Sequence, residues 1–167
     1  MVETPDYLIL KRYGSAELRQ YKNLILITAT KNKEDEYSVF GILAKYIFGG
    51  NNEGKKIKMT APVFTSKNNE KGKETFSMSF VVPRKYKIGT LPKPLKNNIT
   101  FEEKKIMKLV VLRFSGSVND KKTLDKTNEL KVILKENNIR PKRIFLMQYN
   151  PPWTLPFLRR NEVAAEI

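Results

Sequence analysis

Two stretches of this chain read in the same order of strand, strand, helix, strand, strand. Their helices are offset by roughly 85 residues, and this repetition limits the fold more than any other feature of the sequence. In the first stretch, Tyr7 to Tyr13 is apolar and β-prone, and Gly14-Ser15 breaks it. Ala16 to Thr30 resumes as a long strand. Its centre, Leu24-Ile25-Leu26-Ile27, is apolar at both parities, which implies burial on both faces. Glu34-Asp35-Glu36 then places acid where a helix dipole favours it, and that helix runs to about Phe48 and stops at Gly49-Gly50. Lys58 to Ser66 and the alternating run Phe76 to Val82 read as the next two strands, with Pro83 ending the second. The second stretch supplies strands over Thr100 to Lys104 and Lys108 to Ser115, then a helix capped at Asn119-Asp120 that runs to about Asn137. Strands over Arg143 to Tyr149 and Arg160 to Glu166 follow. The halves, residues 7–82 and 100–166, are joined by a proline-containing linker over 84–98. The expectation is one α+β domain, an eight-stranded antiparallel β-barrel, closed or nearly so, with two helices packed outside it.

Composition removes whole classes of chemistry. The 167 residues include no Cys and no His. Disulfides, thiolate nucleophiles, Ser–His hydrolysis, zincin motifs and a His-ligated metal are therefore excluded. No nucleophile elbow or kinase signature replaces them, so neither a catalytic residue nor a metal-binding cluster is expected. The first residues lack the pattern of a signal peptide, and no apolar run reaches the roughly 20 residues of a membrane span, so the expected setting is cytoplasmic. Net charge is +15, but the lysines are scattered. Dispersed charge predicts at most weak, salt-sensitive contact with nucleic acid, without sequence specificity, and a monomer is expected.

Gly49-Gly50-Asn51-Asn52-Glu53-Gly54-Lys55-Lys56 comes close to a phosphate-binding loop, but Lys56 stands where a hydroxyl should bind magnesium. The loop also leaves a helix instead of entering one, so it reads as a cap and connection. Glu102-Glu103 fall on opposite faces of a strand. Glu17 and Glu162 neighbour Arg19 and Arg159-Arg160, and are expected to form structural ion pairs.

The first helix is the anomalous element. At about 100° per residue, Val39, Leu43 and Ile47 form a stripe, Ile42 and Tyr46 lie on one flank, and Tyr37, Phe40, Ala44 and Phe48 lie on the other. This apolar arc exceeds what one sheet can cover. The second helix, with Leu124, Thr127, Leu130 and Leu134, shows a single stripe. Either loops, such as Asn150 to Phe157, cover the excess on the first helix, or a ligand cleft runs beside it. In Asn150-Pro151-Pro152-Trp153-Thr154-Leu155-Pro156-Phe157 the prolines exclude regular structure; so stiff an apolar loop either packs on the core or rims a pocket, and packing of Trp153 is the expectation.

Taken in order, several segments resemble the SOUL haem-binding family. They are Glu17-Leu18-Arg19-Gln20-Tyr21, then Phe40 to Asn51 with Lys58-Met59-Thr60-Ala61-Pro62-Val63, Val82-Pro83, Leu91-Pro92 with Pro94, and Arg113-Phe114-Ser115-Gly116. Tyr149-Asn150-Pro151-Pro152-Trp153-Thr154 and Arg159-Arg160-Asn161-Glu162-Val163 complete the set. The resemblance implies a distorted barrel of two pseudo-twofold ββαββ halves. It also implies a haem or porphyrin cleft along the first helix, in a family whose members need not use an axial His. Tyr37, Phe40, Ala44 and Phe48 would line that cleft, with Lys45 matching a basic position of the helix motif. If iron were ligated, Tyr37 is the best-placed phenol. The partner so implied is a small, flat, hydrophobic, anionic molecule. Two alternatives stay open: a module for another flat hydrophobic ligand, as in drug-sensing domains built on the same duplicated barrel, and a protein-interaction scaffold.

Overall fold

A computed structural model describes residues 2–32 and 36–167, without the side chains of Glu36 and Tyr37. The run Glu34-Asp35-Glu36, read as the acidic start of the first helix, thus falls largely outside the described residues. The elements are β1 (Tyr7–Tyr13), β2 (Ala16–Asn32), α1 (Glu36–Ile47), β3 (Val63–Glu70), β4 (Lys73–Val81), β5 (Thr100–Phe114), α2 (Asp120–Glu136), β6 (Arg143–Gln148) and β7 (Asn161–Glu166). The class is α+β with an antiparallel β-barrel.

Seven strands stand among the described residues where eight were expected. The two segments read as separate strands, Thr100 to Lys104 and Lys108 to Ser115, are the single strand β5. Lys105-Ile106-Met107 contains no Gly or Pro, so nothing interrupts the ladder. A second correction concerns β3, which begins at Val63 and not at Lys58. The Thr60 hydroxyl donates to the Val81 carbonyl, the Ala61 amide donates to the Glu3 carbonyl, and Pro62 has no amide to offer a ladder. The strand instead extends to Glu70 and turns through Lys71-Gly72, both at positive φ, into β4.

The chain condenses into two compact units, Met1–Pro5 with Asn23–Lys105, and Asp6–Lys22 with Ile106–Ile167. In the first unit, the later part of β2 pairs with β4, and β4 pairs with β3. Ile25, Ile27, Ala29, Val39, Leu43, Tyr46, Ile47, Phe80 and Val82 form its core. Leu24 to Ile27 are all buried, as the double-parity apolar run requires. In the second unit, β1 pairs with the start of β2, and β7 lies between β5 and β6. Its core is Ala16, Val110, Leu112, Phe114, Leu130, Leu134, Val163 and Ala165.

Helix α2 starts as its cap predicts, the Asn119 side chain accepting from the Lys122 amide at 2.8 Å. Leu130 and Leu134 are buried, but Leu124 is exposed, which corrects its place in the stripe. Six residues separate Leu124 from Leu130, about 600° of helical rotation, so the two point about 120° apart. Trp153 is a further correction: it is 84% exposed and packs on no core.

Candidate ligand-binding site

The stripe of α1 behaves as its spacing dictates, with Val39, Leu43 and Ile47 at most 2% exposed. Its two flanks then diverge. On one flank Tyr46 is buried, its ring 5.7 Å from that of Phe101 and its hydroxyl donating to the Pro92 carbonyl at 2.6 Å. Tyr86, Leu91, Ile99 and Phe101 all pack on the same cluster, so the segment between β4 and β5 is the cover on this side. Burial pushes the Tyr46 phenol up to about 12, assisted by the nearby negative charge of Glu53.

Among the described residues the opposite flank has no such cover. Phe40 is 46% and Phe48 63% exposed. Phe40 meets the core through an edge contact to Phe80, ring centres 5.7 Å apart. Ala44 sits between these positions on the helix face, nearly buried, and Lys45 beside it is exposed. Of the expected cleft residues, the structure therefore presents Phe40, Ala44, Lys45 and Phe48 along one side of α1. The Tyr37 side chain lies outside the described residues. Two exposed aromatic rings flanking a small residue, with an ammonium at the margin, make a surface on which a flat apolar plate bearing a carboxylate can lie.

The helix end that shapes this flank is tightly built. The Gly50 amide donates to the Lys45 carbonyl at 2.8 Å, and Gly49 adopts φ +106°, the left-handed form that closes helices. A Cβ on Gly50 would sit 2.5 Å from the Lys45 carbonyl oxygen, so only glycine fits. The following loop is tied by Asn51, a residue the sequence reading did not single out. Its side-chain amide donates to the Tyr46 and Lys55 carbonyls, and its carbonyl oxygen accepts from the Glu53 and Lys55 amides. Two of the amides a phosphate would need are thus already engaged, which agrees with a capping role for this glycine-rich segment. The only signal available was an Asn directly after a Gly-Gly stop, a weak turn mark.

The second unit holds a different constellation. Glu162 is fully buried, and both its oxygens accept from Arg19 at 3.0 Å. Arg160 Nε donates to the same carboxylate at 3.0 Å and the Tyr149 hydroxyl at 2.9 Å. Arg19 stacks on the Tyr7 ring at 4.2 Å and reaches Glu17, which Arg12 also binds. Burial disfavours the charge on Arg19, yet Glu162, Tyr21 and Glu17 together outweigh it and keep the guanidinium protonated. Burial raises the Glu17 carboxyl, but Arg19 and Arg12 together bring it below the usual range. Tyr149 is pushed well above an ordinary phenol by burial and by the adjacent Glu162, and burial also raises Tyr21. None of these buried phenols is poised to ionise. With Arg19 and Arg160 on it, Glu162 is spent as an ion-pair partner, as expected for Glu162 and Glu17 from their arginine neighbours. On β5, Glu102 pairs with Lys104 at 2.9 Å, one strand period away on the same face. Among the described residues, no group of three Asp, Glu, His or Cys is arranged to hold a metal ion. Nor is any described helix long and apolar enough to cross a membrane.

Comparison with known proteins gives concordant results. Residues 2–166 match the family described as SOUL heme-binding protein. Human heme-binding protein 2 is 30% identical over 175 residues, covering 97% of this chain and 84% of that protein. Among solved structures, the C-terminal domain of EcmrR superposes with a TM-score of 0.65 at 11% identity, covering 90% of this chain and 95% of that one. SAV2435, solved bound to tetraphenylphosphonium, superposes at 0.58 with 14% identity, covering 92% and 93% of the respective chains. At such identities these structures speak for the fold alone.

Proposed function

The chain belongs to the SOUL haem-binding family, and from that premise we propose that it binds haem or another tetrapyrrole against the open flank of α1, as a carrier or buffer without catalysis. One observation carries the reading. On a helix whose stripe is buried and whose other flank is buried at Tyr46 and partly buried at Ile42, Phe40 and Phe48 stay in solvent on either side of Ala44. Exposed aromatics on an otherwise well-packed helix are what a ligand surface requires and a core does not.

Phe40 and Phe48 would stack on the macrocycle, Ala44 would let it approach the backbone, and Lys45 would face a propionate. Haem supplies the iron chemistry and the visible spectrum; the chain supplies an apolar bed and a cation. Without His or Cys, oxygen donors such as Tyr37, or Met and Lys side chains, are the remaining axial candidates.

A lipophilic cationic ligand, such as the tetraphenylphosphonium seen with SAV2435, is disfavoured on electrostatic grounds. The buried carboxylate Glu162 is already neutralised by Arg19 and Arg160, and the chain carries a net charge of +15. The discriminating experiment is an absorbance titration with ferric haem, protoporphyrin IX and a flat cationic dye. Saturable binding of the first two, lost in Phe40→Ser/Phe48→Ser, is expected. Binding of the dye alone, or tetrapyrrole binding unaffected by that pair of substitutions, would remove the reading.

A further inference from the structure

The Asn150–Leu158 segment presents apolar side chains to solvent on a backbone that cannot yield. Trp153 is 84%, Phe157 71%, Leu158 63% and Leu155 56% exposed. The backbone beneath them is pinned at several points. Arg159 reaches back to the carbonyls of Thr154 and Pro152, the Asn150 side chain accepts from the Arg160 amide at 2.7 Å, and the Pro156 carbonyl accepts from the Gly116 amide at 2.9 Å. Pro151, Pro152 and Pro156 remove further freedom. A flexible loop could fold its Trp and Phe onto the core; this one holds them out.

Charge identifies what such a surface fits. From Asn150 to Arg160 there is no acidic residue, and the chain as a whole bears 32 basic against 17 acidic side chains. Lys122 lies next to the loop: a Cβ on Gly116, the residue bonded to Pro156, would meet the Lys122 ammonium. A rigid cluster of Trp, Phe and Leu on a cationic protein matches the boundary of an anionic bilayer, where aromatic rings settle at headgroup depth while basic residues face phosphate and carboxylate groups.

We propose that this loop is an interfacial anchor that docks the protein on anionic phospholipid membranes, inserting Trp153, Leu155, Phe157 and Leu158 at the headgroup–acyl boundary. The inference does not depend on tetrapyrrole binding.

Trp153 is the only tryptophan of the chain, so its fluorescence reports on the loop alone. With vesicles of equal parts phosphatidylcholine and phosphatidylserine at low ionic strength, the emission should move to shorter wavelength and the protein should co-sediment. With pure phosphatidylcholine, or at about 1 M salt, where the Debye length is about 3 Å, both effects should largely vanish. Phe157→Ser with Leu155→Ser keeps the fluorophore and, being confined to exposed side chains, the fold, which circular dichroism would check. It should lower the sedimented fraction by about tenfold. Three results would overturn the proposal. One is no emission shift with the mixed vesicles. Another is sedimentation unaltered by the double substitution, meaning attraction by charge alone. The third is quenching by protoporphyrin without any response to vesicles, which would assign the loop to the small ligand.

Discussion

The cluster around Glu162 and the open flank of α1 reverse the usual placement of side chains. In the cluster, a carboxylate and a guanidinium, Glu162 and Arg19, lie at no more than 3% exposure. On the flank, Phe40 and Phe48 stand about half or more in water. Burying charge is costly unless every partner is supplied, and here each oxygen of Glu162 has at least two donors. Exposing two phenylalanines forgoes stabilisation that full burial would give. A polar cluster with all its bonds made has no capacity left for a ligand, whereas an aromatic surface without cover does. The chemically conspicuous cluster is thus structural, and the proposed ligand surface is the plainer of the two.

Removing one partner from the cluster should give the largest effect. Arg19→Ala leaves Glu162 buried with half its compensation gone and is expected to destabilise by about 3–5 kcal/mol, read from urea unfolding. Pairing Arg19→Met with Glu162→Leu should recover part of that loss, since the buried carboxylate leaves together with its guanidinium, while the part-buried Arg160 and the Tyr149 hydroxyl lose their acceptor. A loss below about 1 kcal/mol for Arg19→Ala would mean that water reaches the carboxylate and the cluster is not closed.

Next comes Tyr46, on the covered flank of the same helix. Tyr46→Phe leaves the Pro92 carbonyl without its donor and should cost about 1–3 kcal/mol. The phenol also carries a pH signature. Its folded value of about 12 lies above the ordinary 10.0, so folding favours the neutral form. The stabilisation is complete below pH 10, falls as pH rises from 10 toward 12, and is absent once both states are ionised. Alkaline unfolding followed by circular dichroism should show that limb in the parent, and Tyr46→Phe should make it shallower, the share of Tyr149 and Tyr21 remaining.

How far these features were legible in the sequence depended on the range of the physics. Periodicity located the α1 stripe and both its flanks, because helix geometry is local. It could not say which flank would be covered, since the cover comes from Leu91, Pro92 and Phe101, tens of residues away. The reading of two strands, Thr100 to Lys104 and Lys108 to Ser115, gives way to one continuous β5, because side chains alternate across a strand and charges such as Lys105 and Lys108 are tolerated where it is exposed. The partners of Arg19 were only half visible. Its tie to Glu17 is a neighbour two residues off on the same face, while Glu162 is 143 positions away. Trp153 misled for a plainer reason. Apolar composition says nothing about direction, and the Arg159 contacts that fix the loop backbone leave no trace as a pattern.

The exposed flank should respond in the opposite manner to the cluster. Phe48→Ala is expected to change stability by no more than about 0.5 kcal/mol, because the ring is mostly in water already. It should weaken protoporphyrin binding by about tenfold, the worth of a good aromatic contact. Unfolding and binding measured on one preparation would test both halves. A stability loss comparable to that of Tyr46→Phe would show that Phe48 is covered in solution and would erase the difference between the two flanks.

Lys45→Glu makes the finest distinction, because it separates the apolar bed from its charged margin. Lys45 occupies the last turn of α1, where a cation also favours the carbonyl end of the helix. The substitution should therefore cost about 0.5 kcal/mol of stability with no ligand present, readable by urea unfolding at low salt. Against protoporphyrin, an exposed ammonium facing a propionate is worth at most about 1 kcal/mol, so affinity should fall by no more than about fivefold. Salt separates the alternatives: the parent's affinity should decline with ionic strength and approach that of the variant, while the variant's changes little or rises. A loss of about a hundredfold would instead place Lys45 inside a desolvated contact, making the flank a closed pocket. No loss at all would show that the carboxylates point away from α1, leaving Phe40 and Phe48 as the whole of its recognition surface.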